Sequence, residues 1–336
     1  MTVPPLSSPP FIPLPHIHNL RSASHSLTTT SSPPQSIRPG ILYRSADLSA
    51  LTPSEWHTLS TLGITTIFDL RSGPEVSKGF AALRPDGDAA AAQRAWEDDV
   101  RAAGLQRHWV PVFEDKDYSP ARLAERYVKY MDEDVRGFVG AYREILRDGG
   151  AAYRAILLHL ARGGGGGSGG GILVHCTAGK DRTGLLFALL FAFLGVAPAR
   201  IADEYHLSEH GLLRVRDDVV ARLLQSPGFN KYMAALRDGR ALRSGEIAQG
   251  LAGGSGEGRV EGGDAAAEEE ERMPAEVLEK GRQAALRMVG ARRETMVASL
   301  AMLEEEFGGA ERYMREYCGL GDGELEALKR NLLVPV

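Results

Sequence analysis

The chain has 336 residues, a net charge of −5 at pH 7 and a globular composition, 43% hydrophobic and 25% charged. That length suits one large domain or two small ones, and the acidic balance excludes a global basic field of the kind nucleic acid binding uses. The only two cysteines, Cys176 and Cys318, exclude a disulfide framework and suit a reducing compartment.

The N-terminus, "MTVPPLSSPPFIPLPHI", has no basic n-region and is broken by prolines, so a signal peptide is not expected. Residues 1–40 read as a Pro/Ser/Thr-rich arm, with "SHSLTTTSSPPQS" as a mobile loop. "ILYRSA" reads as a short strand. "TPSEWHTLSTLG" reads as a helix: Thr52 caps it, Pro53 suits its first position, Glu55 stands at capping-box spacing and Gly63 ends it. "ITTIFDL", β-branched and apolar, reads as a buried strand. Residues 84–106 form an Ala- and Asp-rich insertion with no assigned structure, and "RHWVPVFED" is a third strand leading into an acidic loop.

Residues 119–161 have helical period, with Tyr127, Tyr130, Met131, Phe138, Tyr142, Ile145 and Leu146 facing inward. The run "GGGGGSGGG", in residues 163–171, reads as a flexible connector. "ILVHC" is a buried strand and "TGLLFALLFAFLG" a core helix. Its apolar run is too short to cross a bilayer. "PARIADEYHLSEHGL" and "VRDDVVARLLQ" read as helices. Residues 239–274, which include the acidic run Glu268–Glu271, are expected to be disordered. Met296, Leu300, Leu303 and Phe307 return to helical spacing. Strands alternating with helices predict an α/β fold with a mainly parallel sheet covered on both faces. The low-complexity stretches read as insertions in a single domain, residues 41–336.

The stretch "HCTAGKDRTG" carries the chemistry. A strand that ends at Cys176 and a helix that begins near Arg182 aim free backbone N–H groups into the turn between them. Such a turn binds anions, and Gly179 lets the backbone approach one closely. A helix N-terminus and neighbouring cations favour thiolate over thiol, which makes a cysteine nucleophilic. Arg182 adds a planar fork able to grip two phosphate oxygens. Thr183 is placed to donate a hydroxyl hydrogen bond to the sulfur. Nucleophile, cradle and clamp on one loop describe phosphoryl transfer through a phosphocysteine, with no metal or cofactor expected. A nucleotide-binding P-loop is excluded, because Val174 stands where that motif needs glycine and Asp181 where it needs Ser or Thr. Adjacent His175 and Cys176, with no second Cys/His cluster, do not read as a zinc site.

The same residues match the Cys-x-x-x-x-x-Arg-Ser/Thr signature of protein tyrosine phosphatases. More narrowly, they resemble the atypical tyrosine phosphatase family of fungi and bacteria. "HNLR" at 18–21, "LYRSADLSALT", "LGITTIFDLRS", "EYHLSEHGL" and the ending "FGGAERYMREYCGLGDGELEALKRNLL" resemble the family outside the loop. The resemblance implies a protein tyrosine phosphatase-like fold, Cys176 as nucleophile and Arg182 as phosphate clamp. It also implies a cradle of Thr177, Ala178, Gly179, Lys180, Asp181, Arg182 and Thr183. A carboxylic acid must protonate the leaving oxygen; Asp181 is favoured, with Asp115 and Glu114 as alternatives. Lys180 either faces solvent or adds affinity for a multiply phosphorylated inositol headgroup.

The expected enzyme is therefore a cytoplasmic phosphomonoester phosphatase acting on phosphotyrosine or dual-specificity protein substrates. The alternatives are a phosphoinositide phosphatase of the same chemistry and a catalytically silent phosphate-binding module. Cys318 reads as a small buried hydrophobe and His175 as a shaper of the loop. Asp69 and Arg71 read as a structural ion pair, and Arg44 as a support for the loop or the fold.

Overall fold

The computed structural model describes residues 6–84, 87–114, 117, 119–163, 169–240, 248–249 and 273–336. In chain order its first elements are β1 (Arg21–Ser22), β2 (Gln35–Ile37), β3 (Leu42–Ser45), α1 (Pro53–Thr61), β4 (Ile64–Asp69), α2 (Gly73–Leu83), α3 (Ala89–Ala102) and β5 (Gln106–Trp109). Then come α4 (Pro120–Met131), α5 (Val135–Asp148), α6 (Gly150–Ala161), β6 (Gly171–His175), α7 (Asp181–Phe193), α8 (Pro198–Gly211), α9 (Leu213–Leu224) and α10 (Pro227–Arg237). The C-terminal part holds α11 (Ala275–Val289), α12 (Arg293–Phe307), α13 (Gly309–Glu316), α14 (Asp322–Leu332) and β7 (Leu333–Pro335).

The chain divides into two compact units. Unit 1 comprises residues up to 115, 142–212 and 291–336, and unit 2 comprises residues 116–141 and 213–290. Unit 1 holds a five-stranded sheet in the order β1-β3-β6-β4-β5. The three pairings among β3, β6, β4 and β5 are parallel, and β1 joins antiparallel at the edge. This is the mainly parallel α/β sheet that the alternating pattern predicts. β6 lies at its centre and is buried at every residue, as its unbroken apolar sequence requires. A small antiparallel pair, β2 with β7, joins the start of the chain to its end.

Local sequence explains the elements that carry β4. Glu55 accepts hydrogen bonds from the Thr52 N–H and hydroxyl at the start of α1, and Gly63 follows the helix at φ 81°. On one side of the sheet, Trp56 of α1, Phe80 of α2 and Trp96 of α3 interlock edge to face over Ile67 and Leu173. Residues 89–102, left without structure by the sequence, are thus a helix: Asp88 caps it, and Trp96 and Val100 anchor it in the core. Residues 119–161 form three helices. Met131, Phe138, Tyr142, Ile145 and Leu146 are buried as predicted, while Tyr127 and Tyr130 are half-buried. Within residues 1–40, the described part contributes β1 and β2 and buries Leu20, Arg21, Ala23, Leu27 and Ile37.

Unit 2 is helical. α4, α10 and α11 pack around Ala124, Met131, Phe229, Met233, Ala284 and Ala285. Most of the stretches 163–171 and 239–274, including Glu268–Glu271, lies outside the described residues. Among the described residues, no helix is long and apolar enough to cross a membrane.

Candidate active site

Parallel register puts three strand ends side by side: Ser45 of β3 and Asp69 of β4 both pair with His175 of β6, and all three are buried. The chain leaves β6 into Cys176, turns through residues 177–180 and enters α7 at Asp181. The turn presses on the sheet at Gly179, where φ is +61°. A Cβ there would lie 2.0 Å from the Ser45 carbonyl oxygen, so only glycine fits.

The orientation of the loop follows from its carbonyls. The Thr177 oxygen accepts from the Asp47 N–H at 3.1 Å, and the Ala178 oxygen from Asn19 Nδ2 at 3.0 Å. Asn19 Nδ2 also reaches the Gly179 oxygen at 3.2 Å, and Arg44 Nη2 reaches it at 2.7 Å. The Lys180 oxygen accepts from Arg44 Nη2 at 3.3 Å and from the Gly184 N–H at 2.8 Å. A planar trans peptide points its N–H opposite its C=O. With these carbonyls tied back on one side, the N–H groups of residues 178–181 face the other. Lys180, at the N-cap, makes no side-chain cap, so the first amides of α7 join them.

Behind the loop stands a buried polar wedge. Glu204 of α8 receives Arg21 Nε at 2.9 Å and Arg44 Nη1 at 2.6 Å, and Arg21 Nη2 also reaches Ser208 Oγ at 3.1 Å. Two guanidinium groups share one carboxylate, which leaves a net positive charge beneath the loop. Arg44 was anticipated as a support, whereas Asn19, Arg21 and Glu204 received no role from the sequence. Their only signal was their place in the resembling stretches, Asn19 and Arg21 in "HNLR" and Glu204 in "EYHLSEHGL"; the partners of Glu204 lie 160 and 183 positions away.

Cys176 is buried, with 2% of its surface exposed. Arg182, in the first turn of α7, forks onto Glu75: Nη1 to Oε2 and Nη2 to Oε1, each at 2.5 Å. The same carboxylate accepts the Thr177 hydroxyl at 2.5 Å and the Ser72 N–H at 3.0 Å. Glu75 was not predicted as a site residue. Its visible signal, Ser72 followed three residues later by Glu, marks a helix start and says nothing about the distant loop. Thr183 is fully buried, and its Oγ1 has no hydrogen-bond partner among the described residues, so the bond expected to the Cys176 sulfur is not made.

The candidate acids separate. Asp181 is partly exposed in the first turn of α7, where Tyr142 donates its hydroxyl to Oδ1 at 2.6 Å and Lys180 Nζ stands 3.4 Å from the same oxygen. Lys180 is 2% exposed, which goes against the solvent-facing one of its two readings. Glu114 is exposed on the loop after β5, and Asp115 lies outside the described residues. Burial pushes His175 below its ordinary pKa, which keeps it neutral near pH 7; its Nδ1 lies 3.4 Å from the Cys176 oxygen. Asp69 and Arg71 form the expected ion pair, with Nη2 to Oδ2 at 2.9 Å, and Arg107 joins at 2.8 Å. Cys318 is buried away from this site, and burial pushes its thiol up to about 12.

A turn with backbone amides on one side, a buried cysteine at its strand end and an arginine paired with Glu75 at its helix end is an arrangement that can receive one tetrahedral oxyanion. A family model described as "Tyrosine phosphatase family" matches residues 12–334. The chain is 29% identical over 214 residues to the triple specificity protein phosphatase PtpB of Mycobacterium tuberculosis, covering 60% of this chain and 71% of that protein. It is 29% identical over 169 residues to a tyrosine-protein phosphatase of Nostoc commune, covering 50% of this chain and 48% of that one. The family match spans both the cradle and the wedge behind it. The chain belongs to the tyrosine phosphatase family and is, by class, a protein tyrosine phosphatase.

Proposed function

We propose that the protein hydrolyses phosphotyrosine, with dual specificity for other phosphomonoesters, through a phosphocysteine on Cys176. The Cys176 thiolate attacks phosphorus and the phosphorus–oxygen bond to the leaving group breaks. Asp181 gives its proton to the departing oxygen. Water then attacks the phosphocysteine, Asp181 takes a proton back, the sulfur–phosphorus bond breaks and inorganic phosphate leaves. Arg182 and the amides of Ala178–Asp181 hold the equatorial oxygens in both steps. The observation that carries this reading is the set of consecutive loop carbonyls tied back by Asp47, Asn19 and Arg44, which turns their amides toward one anion. Asp181 is preferred to Glu114 and Asp115 because it belongs to the loop itself.

The test is release of nitrophenol from p-nitrophenyl phosphate. Cys176→Ser is expected to lower kcat by at least about 10³-fold, and Arg182→Lys to lower kcat/KM because the charge stays while the fork is lost. Equal rates from wild type and Cys176→Ser contradict the reading.

A second reading extends the substrates to phosphoinositides. Lys180 favours it, since its buried ammonium adds charge to the loop. The words "triple specificity" in the name of the mycobacterial relative support breadth in general. Hydrolysis of a phosphopeptide and phosphoinositide panel decides between them. We read unit 2 as an elaboration of one catalytic domain, because both of its segments leave and re-enter unit 1. Two free, buried cysteines support a reducing, cytoplasmic setting.

A further inference from the structure

A buried chain of hydroxyls ends on Asp181 and has no part in the reaction as written above. Tyr142, on α5, is fully buried and donates to Asp181 Oδ1 at 2.6 Å. Tyr205, on α8 and 1% exposed, places its hydroxyl 2.6 Å from that of Tyr142. A phenol has one proton to give. Tyr142 gives its proton to Asp181, so Tyr205 is the donor between the two tyrosines, and the chain runs Tyr205 to Tyr142 to Asp181. Burial pushes the Tyr205 hydroxyl well above its ordinary pKa and keeps it a neutral donor.

Anchoring the start of α7 does not require these hydroxyls. Tyr153 already holds the Arg182 carbonyl at 2.8 Å, and Arg44 holds the carbonyl of Lys180. A pair of phenylalanines would fill the same space without burying two polar groups, each of which costs free energy unless it is bonded. What the hydroxyls add is direction. Tyr142 and Lys180 both engage Oδ1, and among the described residues no hydrogen bond is made to Oδ2.

We propose that Tyr142, backed by Tyr205, is a positioning residue that fixes Oδ1 of Asp181 so that Oδ2 carries the proton delivered to the leaving oxygen. This rests on the reading of Asp181 as proton donor. An unfixed carboxyl in a first helical turn samples several rotamers, and proton transfer needs one of them within hydrogen-bond reach.

The experiment measures kcat/KM, which reports the first phosphoryl transfer, for aryl phosphates of graded leaving-group basicity. It compares wild type, Asp181→Asn, Tyr142→Phe and Tyr205→Phe. A phenol near pKa ~10 needs the proton, and a dinitrophenol does not. Tyr142→Phe is expected to lose about tenfold on phenyl phosphate and phosphotyrosine, part of what a general acid supplies, and to stay within about twofold on dinitrophenyl phosphate. Asp181→Asn is expected to show the same dependence more steeply. A uniform loss across the series, or no loss on phenyl phosphate, from Tyr142→Phe beside a steep Asp181→Asn overturns the positioning role alone. A flat Asp181→Asn overturns the proton-donor reading and the proposal with it. Should Tyr142→Phe fail to fold, Tyr205→Phe probes the same chain one bond further out. The leaving-group-dependent pattern supports the proposal, and a uniform loss overturns it.

Discussion

Gly179 is where the cradle and the sheet approach most closely, and one methyl group there has a defined consequence. Its Cβ would meet the Ser45 carbonyl oxygen at 2.0 Å, and φ of +61° disfavours any side chain. Gly179→Ala is therefore expected to distort the loop, at a strain cost of about 1–3 kcal/mol, and to weaken vanadate binding. Titration with vanadate checks this, and a folded variant with wild-type affinity contradicts it. Gly179, Cys176 and Arg182 were legible in the sequence because one contiguous stretch carries all three. Glu75, Asn19 and Tyr142 were not legible as site residues. Each reaches the loop through the fold from far along the chain, and each has a bland local reading as helix cap, arm residue or core aromatic.

At the scale of elements, the start of α1 shows how a local signal takes on a long-range task. Glu55 stood out in the sequence as a capping-box residue. In the structure its carboxylate also accepts the His16 N–H at 3.0 Å, so it ties residues near the N-terminus to the helix. Burial works to raise its pKa, and the hydrogen bonds from Thr52 and His16 outweigh burial and hold it at about 2. The folded value lies below the unfolded one of ~4.3. The stability that this carboxylate contributes is thus complete above pH ~4.3 and is lost as pH falls toward about 2. Glu55→Gln is expected to destabilise the protein by about 1 kcal/mol at pH 7, with the difference from wild type closing across that window. Urea unfolding as a function of pH measures it, and a pH-independent difference contradicts the assignment. The strands β3, β4 and β6 and helix α7 were legible from their apolar runs. Helix α3 was not, because alanine and charged residues dominate its sequence and Trp96 and Val100 are its only fully buried residues.

At the scale of the molecule, the two cysteines report on different events. Cys318 is buried, and its thiol, pushed up to about 12, is protonated at neutral pH. It is expected to resist iodoacetamide in the native protein and to become labelled only as the fold opens, so its labelling follows the unfolding transition. Fast labelling under native conditions, followed by mass spectrometry, contradicts its place in the core. The α/β class and the parallel sheet were legible from the order of elements. The division into two units was not, because residues 116–141 and 213–290 make one helical unit from segments far apart in sequence. The central claim belongs to Cys176, which joins the sheet to the cradle. Its most direct test is rapid acid quench of the enzyme turning over a labelled aryl phosphate, with the modified residue located by mass spectrometry. The account predicts one phosphoryl group per active site, on Cys176, and none in Cys176→Ser. Turnover without a covalent phosphoenzyme, or phosphate on any other residue, would contradict it.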